Sequence, residues 1–469
     1  MKLNLYLFIF TVFSAVSAYS SYSIPSFLSY PSYSKNNCKA NQLRKCQIEY
    51  NQCFTKYRFN FKKCMDEFEK CRVKECQSEN NNNNNNNNNS NVNSFEPTKD
   101  NVKILGRANY QDGYLWFGMT DTGVEYQFDG KTTSISVTAD TKAYSKESPA
   151  FIGIYADGEV YNKTLITQKN TKFTVNFDEK GEHTVTFIKL SEAEQGSLRI
   201  NEITADAKSI KPTAEKKKKI EFIGDSITCA FGVDGGEEDH YHTSIQDGTK
   251  SYAYLTAKKF DADYSIVAHS GIAILSAVSF TGERTPDSTL PPVYDKLGLT
   301  FGNDFFVLGP NEFDDGSYEL QSTVWDDFGK YVPDLIVINL GTNDAFYFTS
   351  IDAEKVLEET EAFVQNYEDF LAQLRKLYPK TEILCTLGIM GQEAYPLVEQ
   401  AVNNYIESTG DSHVNIFQFS VQDVEENGIG ADTHPNAKSQ LDAAHELIGA
   451  IEEFYEWTSD PEVNIDELI

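Results

Sequence analysis

Leu335-Ile336-Val337-Ile338 is an unbroken apolar run, entered from Asp334 and left through Asn339-Leu340-Gly341. A strand without a polar face must be covered on both sides, which points to a parallel sheet with helices packed over each face. Neighbouring segments fit that reading. Ile220-Glu221-Phe222-Ile223, Asp263 to Ala268 and Thr381 to Leu387 read as further strands, and Glu354 to Tyr378 as a long helix stopped by Pro379. Residues 216–458 are therefore assigned to an α/β domain, a parallel sheet flanked by helices. In such sheets chemistry collects beyond the carboxyl ends of the strands.

Upstream the pattern changes. Val124 to Phe128, Ser134 to Val137 and His183 to Ile188 alternate apolar and polar residues, and Asp112-Gly113, Asp129-Gly130, Asp157-Gly158 and Lys180-Gly181 supply turn signals. This predicts a β-sandwich over residues 98–211, bounded by Pro212 and the solvated run Lys216–Lys219. Asn162-Lys163-Thr164 within it is a glycosylation sequon. Asn80–Asn89 is pure asparagine, so residues 78–97 read as a linker. Six of the eight cysteines fall within residues 37–77. Cys46/Cys53 and Cys64/Cys71 share a seven-residue spacing, two helical turns, which suggests a disulfide-stapled helical hairpin. Cys46–Cys71, Cys53–Cys64 and Cys38–Cys76 form one such pairing among about 15. The hairpin reads equally as a sugar-binding module or as a spacer. Residues 1–18 carry Lys2, the apolar stretch Leu3–Phe13 and Val16-Ser17-Ala18, the pattern of a signal peptide, so the chain is expected to be secreted. A formal charge of −29 repels nucleic acid and anionic membrane but not a neutral polysaccharide. The acidic end, Asp466-Glu467-Leu468-Ile469, reads as a solvated tail.

Four segments carry candidate chemistry. Gly224-Asp225-Ser226 follows a strand, with Gly224 allowing a sharp exit and Ser226 expected at a helix start, its hydroxyl exposed as a nucleophile. His269-Ser270-Gly271 ends another strand, where Gly271 offers an unhindered N–H. Asn339-Leu340-Gly341-Thr342-Asn343-Asp344 ends a third; the Asn343 amide is a candidate oxyanion donor, Asp344 a local structural acceptor. Far downstream, Asp432-Thr433-His434-Pro435 places a carboxylate two residues from an imidazole, the material of a Ser-His-Asp relay. His269 is a candidate site-lining residue or a strand-end structural one, and Trp116 and Trp325 are aromatics able to stack on a sugar ring or to fill a core. Cys229 and Cys385 read as inert buried thiols. His240, His242 and His413 fall in loops, His445 on a helix face, with no role assigned. No short-spaced His/Cys/Asp/Glu set suggests a metal, and no cofactor is called for.

Together these segments resemble the four blocks of the SGNH hydrolases, with Ser226, Gly271, Asn343 and His434 in the family's order. More narrowly the chain resembles carbohydrate esterase family 2, in which a β-sandwich precedes the hydrolase domain and an Asp lies two residues before the His, as Asp432 does. The resemblance spans roughly residues 100–455. It implies a flavodoxin-like hydrolase domain behind a jelly-roll sandwich. It also implies a monomeric serine esterase that removes acetyl groups from carbohydrate. In that scheme Ser226 is the nucleophile, His434 the base, Asp432 its orienting group (some members of the family use a backbone carbonyl in place of the Asp), and Ser226, Gly271 and Asn343 the oxyanion hole. Trp325 and His269 would contact substrate. Two features depart from the family: Ala273 stands where a Gly is usual, and residues 301–322 form an acidic, aromatic insertion. A lipase, thioesterase or acyltransferase on the same scaffold is the alternative activity; a non-catalytic sugar-binding protein is the alternative without one.

Overall fold

The structure, a computed structural model, describes Lys70 and residues 92–279, 281–298, 324, 325 and 327–469. The signal peptide, the cysteine hairpin, the asparagine run and the whole 301–322 insertion lie outside the described residues. Residues 89–469 form one unit.

Ten antiparallel strands come first: β1 (Asn93–Phe95), β2 (Lys103–Leu105), β3 (Asn109–Gln111), β4 (Tyr114–Phe117), β5 (Thr122–Ala139), β6 (Phe151–Ala156), β7 (Glu159–Leu165), β8 (Asn170–Lys189), β9 (Leu198–Ala205) and β10 (Ile210–Pro212). Their main path is β3-β4-β9-β5-β8-β6-β7, with β1 on β9 and both β2 and β10 on β5. Two of the four sequence turn signals are turns. Asp112-Gly113 and Asp157-Gly158 take positive φ at both positions, the left-handed pair that closes a tight hairpin. The other two are not. Asp129-Gly130 and Glu182-Gly181 face one another in the middle of β5 and β8, where the register shifts between Gly130 and Thr132. A Cβ on Gly130 would meet the Phe128 ring at 2.7 Å, so glycine there is what lets two long strands pass through the irregularity. The two halves of β5 take different second partners, β2 and β10 before that point and β9 after it. The sheet thus surrounds a core of Phe117, Tyr126, Phe128, Phe187 and Ile200. The domain also starts earlier than its sequence suggested, since β1 lies inside the expected linker and pairs with Ile203–Ala205.

The second sheet is parallel: β11 (Lys218–Gly224), β12 (Ala262–Ala268), β13 (Leu335–Asn339), β14 (Glu382–Leu387) and β15 (Val414–Gln418), in the order β12-β11-β13-β14-β15. That is the flavodoxin-like order, with its switch point between β11 and β13. Helices α1 (Tyr252–Lys259), α2 (Thr342–Ser350), α3 (Val356–Leu377), α4 (Tyr395–Thr409), α5 (Val424–Asn427) and α6 (Ala437–Tyr455) follow the strands. On α3, Phe363, Val364, Tyr367, Phe370, Leu371 and Leu374 recur at helical spacing and are buried. They cover one face of the sheet with residues of α4, while α1 and α6 cover the other. The terminal tail is not wholly solvated, because Ile465 is buried in the second of these cores.

The two domains share their interior. Met119 and Ala193, from the antiparallel domain, belong to the core between the parallel sheet and α3. Arg107, from the β2–β3 connection, enters that side fully buried. Its Nη2 donates to Glu221 Oε1 of β11 at 3.0 Å and its Nε to Oε2 at 3.3 Å. Ser265 and Tyr294 donate to the same carboxylate. The guanidinium lies 4.6, 4.7 and 5.2 Å from the ring centres of Tyr294, Trp325 and Phe328. Removing one member of such a pair leaves a charge buried without compensation, typically a loss of about 3–5 kcal/mol. The variant Arg107→Met is therefore expected to lower unfolding free energy by about 3 kcal/mol or to prevent folding. Adding Glu221→Gln, which removes the charge and keeps one acceptor while its amide N–H can donate to the other hydroxyl oxygen of the Ser265/Tyr294 pair, should recover at least half of that loss in denaturant unfolding.

Candidate active site

Strand β11 ends at Gly224, whose Cβ, were there one, would lie 2.0 Å from Thr228 Oγ1. The chain therefore turns back tightly on itself. Asp225 receives the Ile227 N–H on its side chain at 3.0 Å and the Thr228 and Cys229 N–H groups on its carbonyl. Burial pushes its carboxyl up to about 7. The segment after Ser226 is a succession of turns rather than the helix its sequence suggested, because Ala230 takes a left-handed φ of 56°. Ser226 itself is 7% exposed at the open end of the sheet.

His434 arrives from the opposite direction, ahead of α6, whose first turn is capped by Asn436 on Ser439 N–H. Asp432 and Thr433 both have positive φ, 47° and 67°. This pair of left-handed residues rolls the Asp432 peptide so that its carbonyl oxygen lies 3.0 Å from His434 Nδ1. The other ring nitrogen, Nε2, is 2.9 Å from Ser226 Oγ. A carbonyl only accepts, so Nδ1 carries the proton and Nε2 is left to accept from the serine hydroxyl. Desolvation lowers the pKa of His434 from its ordinary value, opposed by the Asp432 carbonyl and, at longer range, by the charges of Asp432 and Glu192.

The Asp432 carboxylate does not touch the imidazole. It accepts from Tyr241 N–H at 2.9 Å and lies 3.1 Å from His240 Nδ1. The contact expected from the side chain is thus made by the main chain, because the backbone that aims the carbonyl at the ring sends the side chain outward. Tyr241 also stacks on Phe231 at 4.1 Å, and Phe231 lies 4.4 Å from the His434 ring.

The remaining residues predicted at the site lie on two adjacent loops. Gly271, φ 77°, follows β12. Asn343 sits in the first turn of α2, where its Nδ2 donates to the Ile272 carbonyl at 2.9 Å and lies 3.5 Å from Asp225 Oδ2. The Asn343 amide therefore bridges the loop bearing Gly271 and the turn bearing Ser226. Asp344 is the structural acceptor its position suggested. Its buried carboxylate takes the N–H groups of Ile274, Leu275 and Ser276 at 3.0, 2.7 and 3.1 Å. Burial pushes it up to about 6 against those donors.

Two expected substrate contacts are misplaced. Trp325 is 3% exposed and packs with Trp116 and Leu297 between the domains, against the Arg107 guanidinium. Its indole completes the interface core and is not available to a sugar. His269 is 2% exposed, and its Nδ1 donates to the Ser270 carbonyl at 2.7 Å. It faces inward, beneath the loop it was expected to line. Cys229 and Cys385 are buried free thiols, and burial pushes both pKa values up. Among the described residues no group of three or more His, Cys, Asp or Glu is placed to hold a metal ion.

Sequence reasoning missed Glu192. It is fully buried, comes from the antiparallel domain, and accepts from Ser270 N–H at 2.6 Å and Ser270 Oγ at 2.5 Å. A glutamate between two strands carries no local signal of burial. Gln246, which links Glu192 to the Cys229 carbonyl, was equally invisible.

Two families match in tandem: the carbohydrate esterase 2 N-terminal domain over residues 104–213 and the GDSL-like lipase/acylhydrolase family over 220–447. A cellulase/esterase CelE from Acetivibrio thermocellus is 29% identical over 376 residues, covering 77% of this chain and 40% of that protein. An acetylxylan esterase/glucomannan deacetylase from Cellvibrio japonicus is 24% identical over 364 residues, 76% of this chain and 90% of that one. The structure of a family two carbohydrate esterase from Clostridium thermocellum in complex with cellohexaose superposes with a TM-score of 0.63 at 25% identity. It covers 76% of this chain and all of that one. The antiparallel domain and the parallel-sheet domain thus match two families in the order in which carbohydrate esterase family 2 joins them, and the chain is a GDSL-like SGNH hydrolase of that kind.

Proposed function

We propose that this protein is a secreted serine esterase that removes O-acetyl or other short acyl groups from polysaccharide. The observation that carries the reading is the 2.9 Å contact between Ser226 Oγ and His434 Nε2, made by residues 208 positions apart, with Nδ1 committed to a carbonyl. In the proposed reaction Ser226 attacks the ester carbonyl as His434 takes its proton. The N–H groups of Ser226 and Gly271 and the amide of Asn343 receive the developing oxyanion. His434 then protonates the departing sugar hydroxyl. Water, deprotonated by His434, attacks the acyl-enzyme in turn and releases the acid. Asp432 serves through its backbone carbonyl, which holds the ring tautomer; its carboxylate contributes only at longer range.

The polysaccharide substrate is supported by relatives described as an acetylxylan esterase/glucomannan deacetylase and as an esterase bound to cellohexaose. Secretion rests on residues 1–18, and a glycan on Asn162 is consistent with that residue's exposure on β7. We take the protein to act as a monomer whose antiparallel domain is a jelly-roll sandwich.

Acetate release from acetylated xylan or glucomannan should fall to background in Ser226→Ala; retained release would remove Ser226 from the mechanism. The base must be neutral, so kcat/KM is expected to fall as pH drops through an apparent pKa below the ordinary histidine value of about 6.5. A limb centred above that value contradicts the assignment. Where a carboxylate orients the histidine, changing it to the amide costs of the order of 10⁴-fold in kcat. Here Asp432→Asn should cost no more than about tenfold, measured as initial rates of acetate release; a loss near the larger figure would return the relay to the side chain.

A further inference from the structure

The β8–β9 connection, residues 190–197, is where the antiparallel domain comes nearest the proposed chemistry. It is anchored from both sides. Gly248 N–H donates to the Leu190 carbonyl at 3.0 Å, and the buried Lys189 ammonium donates to the carbonyls of Ser191 and Glu192. Ala193 is inserted into the core of the hydrolase domain. The Glu192 side chain between them has no exposure.

Both its oxygens are used on the loop that carries Gly271. Oε2 accepts from Ser270 N–H at 2.6 Å, and Oε1 from the Ser270 hydroxyl at 2.5 Å and Gln246 Nε2 at 3.2 Å. The same Gln246 Nε2 donates to the Cys229 carbonyl at 3.0 Å, on the turn that follows Ser226. Close by, His269 Nδ1 donates to the Ser270 carbonyl at 2.7 Å and lies 3.9 Å from Glu192 Oε2. The Ser270 carbonyl and the Gly271 N–H belong to one peptide unit. In a trans peptide they point in opposite directions. Drawing the carbonyl inward onto His269 turns the Gly271 N–H outward, and Glu192 fixes the residue on which that peptide pivots.

We propose that Glu192 is a positioning residue for the esterase site: the antiparallel domain supplies a buried carboxylate that, through Ser270, aims the Gly271 N–H at the oxyanion. The inference rests on the esterase reading above and extends it, since it makes the N-terminal domain part of the catalytic apparatus rather than a neighbour. Losing an oxyanion donor outright costs about 100- to 1000-fold in rate, and misaiming one costs less. The ground-state ester does not depend on that donor, so the loss belongs in kcat and not in KM.

The test compares Glu192→Gln, Ser270→Ala and the double variant, in the full chain, by steady-state acetate release from an acetylated oligosaccharide, with thermal unfolding as a check on folding. Glu192→Gln keeps the shape and one acceptor but offers an N–H where Ser270 also donates. It is expected to lower kcat about 10- to 100-fold with KM within about twofold. Ser270→Ala, which loses the hydroxyl contact and keeps the N–H one, should lower kcat several-fold, and the double variant should be no worse than Glu192→Gln by more than about twofold, because the lost hydroxyl acts only through the Glu192 carboxylate. A kcat for Glu192→Gln within twofold of the parent overturns the proposal, as does a double variant whose losses multiply. Should Glu192→Gln fail to fold, Ser270→Ala decides alone: reduced kcat at constant KM supports the proposal and parental kcat overturns it. A parent chain that releases no acetate, or releases it equally well as Ser226→Ala, instead removes the esterase reading and this inference with it.

Discussion

The buried pair of Arg107 and Glu221 joins what would otherwise be two folding units into one. Glu221 lies on β11, between β12 and β13, so its charge is placed in the middle of the parallel sheet. Among the described residues, the hydrolase domain's own partners of this carboxylate, Ser265 and Tyr294, give only hydroxyls. The guanidinium comes from 114 residues upstream, enclosed by Tyr294, Trp325 and Phe328. A buried carboxylate whose counterion belongs to another domain makes that domain a condition of the first one's stability. The same interface also places Met119 and Ala193 in the hydrolase core and Gly248 so close to Asp121 that a Cβ would lie 2.5 Å from its carboxylate.

With the domains locked, the parallel sheet sets the positions of the polar loops. β11, β12 and β13 are adjacent, and each ends at the same rim, so turns that begin at Gly224, Ala268 and Asn339 meet there. His434 is not on a strand end. It is brought back by the loop before α6, whose packing on α1 fixes where that loop begins. Convergence of four distant segments is therefore a property of strand order and one helix, and the 2.9 Å contact between Ser226 and His434 follows from it.

What the sequence disclosed follows the range of the interactions involved. Leu335–Ile338 could be read because a doubly buried strand leaves its mark on consecutive residues. Ser226, Gly271, Asn343 and His434 were found because each lies in a short motif whose backbone demands are local. Asp432 was assigned by its side chain, with a backbone carbonyl as the alternative the resemblance offered, and it is the carbonyl that meets the ring; the left-handed backbone at 432 and 433 that decides between them carries no periodic signature. Asp129-Gly130 and Lys180-Gly181 looked like turns, yet they face each other inside paired strands, a fact that only the partner strand reveals. Trp325 was assigned to substrate as an aromatic able to stack on a sugar ring, and it is in the core. Its true partner, Arg107, is more than two hundred residues away. Glu192 fails for the same reason, since its value lies wholly in contacts with Ser270 and Gln246.

Replacing a carboxylate by a carbonyl behind the imidazole changes the electrostatics of the proposed reaction. A carbonyl fixes the tautomer as firmly, but it stabilises the imidazolium formed during proton transfer less than a full negative charge does. Desolvation works in the same unfavourable direction, and it is the largest influence lowering the pKa of His434. Two anions oppose it. Asp432 is partly exposed and shared with Tyr241 and His240, so solvent weakens its field. Glu192 is buried, where screening is least, and its charge favours protonated His434 from beneath the Gly271 loop. The carboxylate that contacts Ser270 is thus also one of the charges that oppose the desolvation of His434.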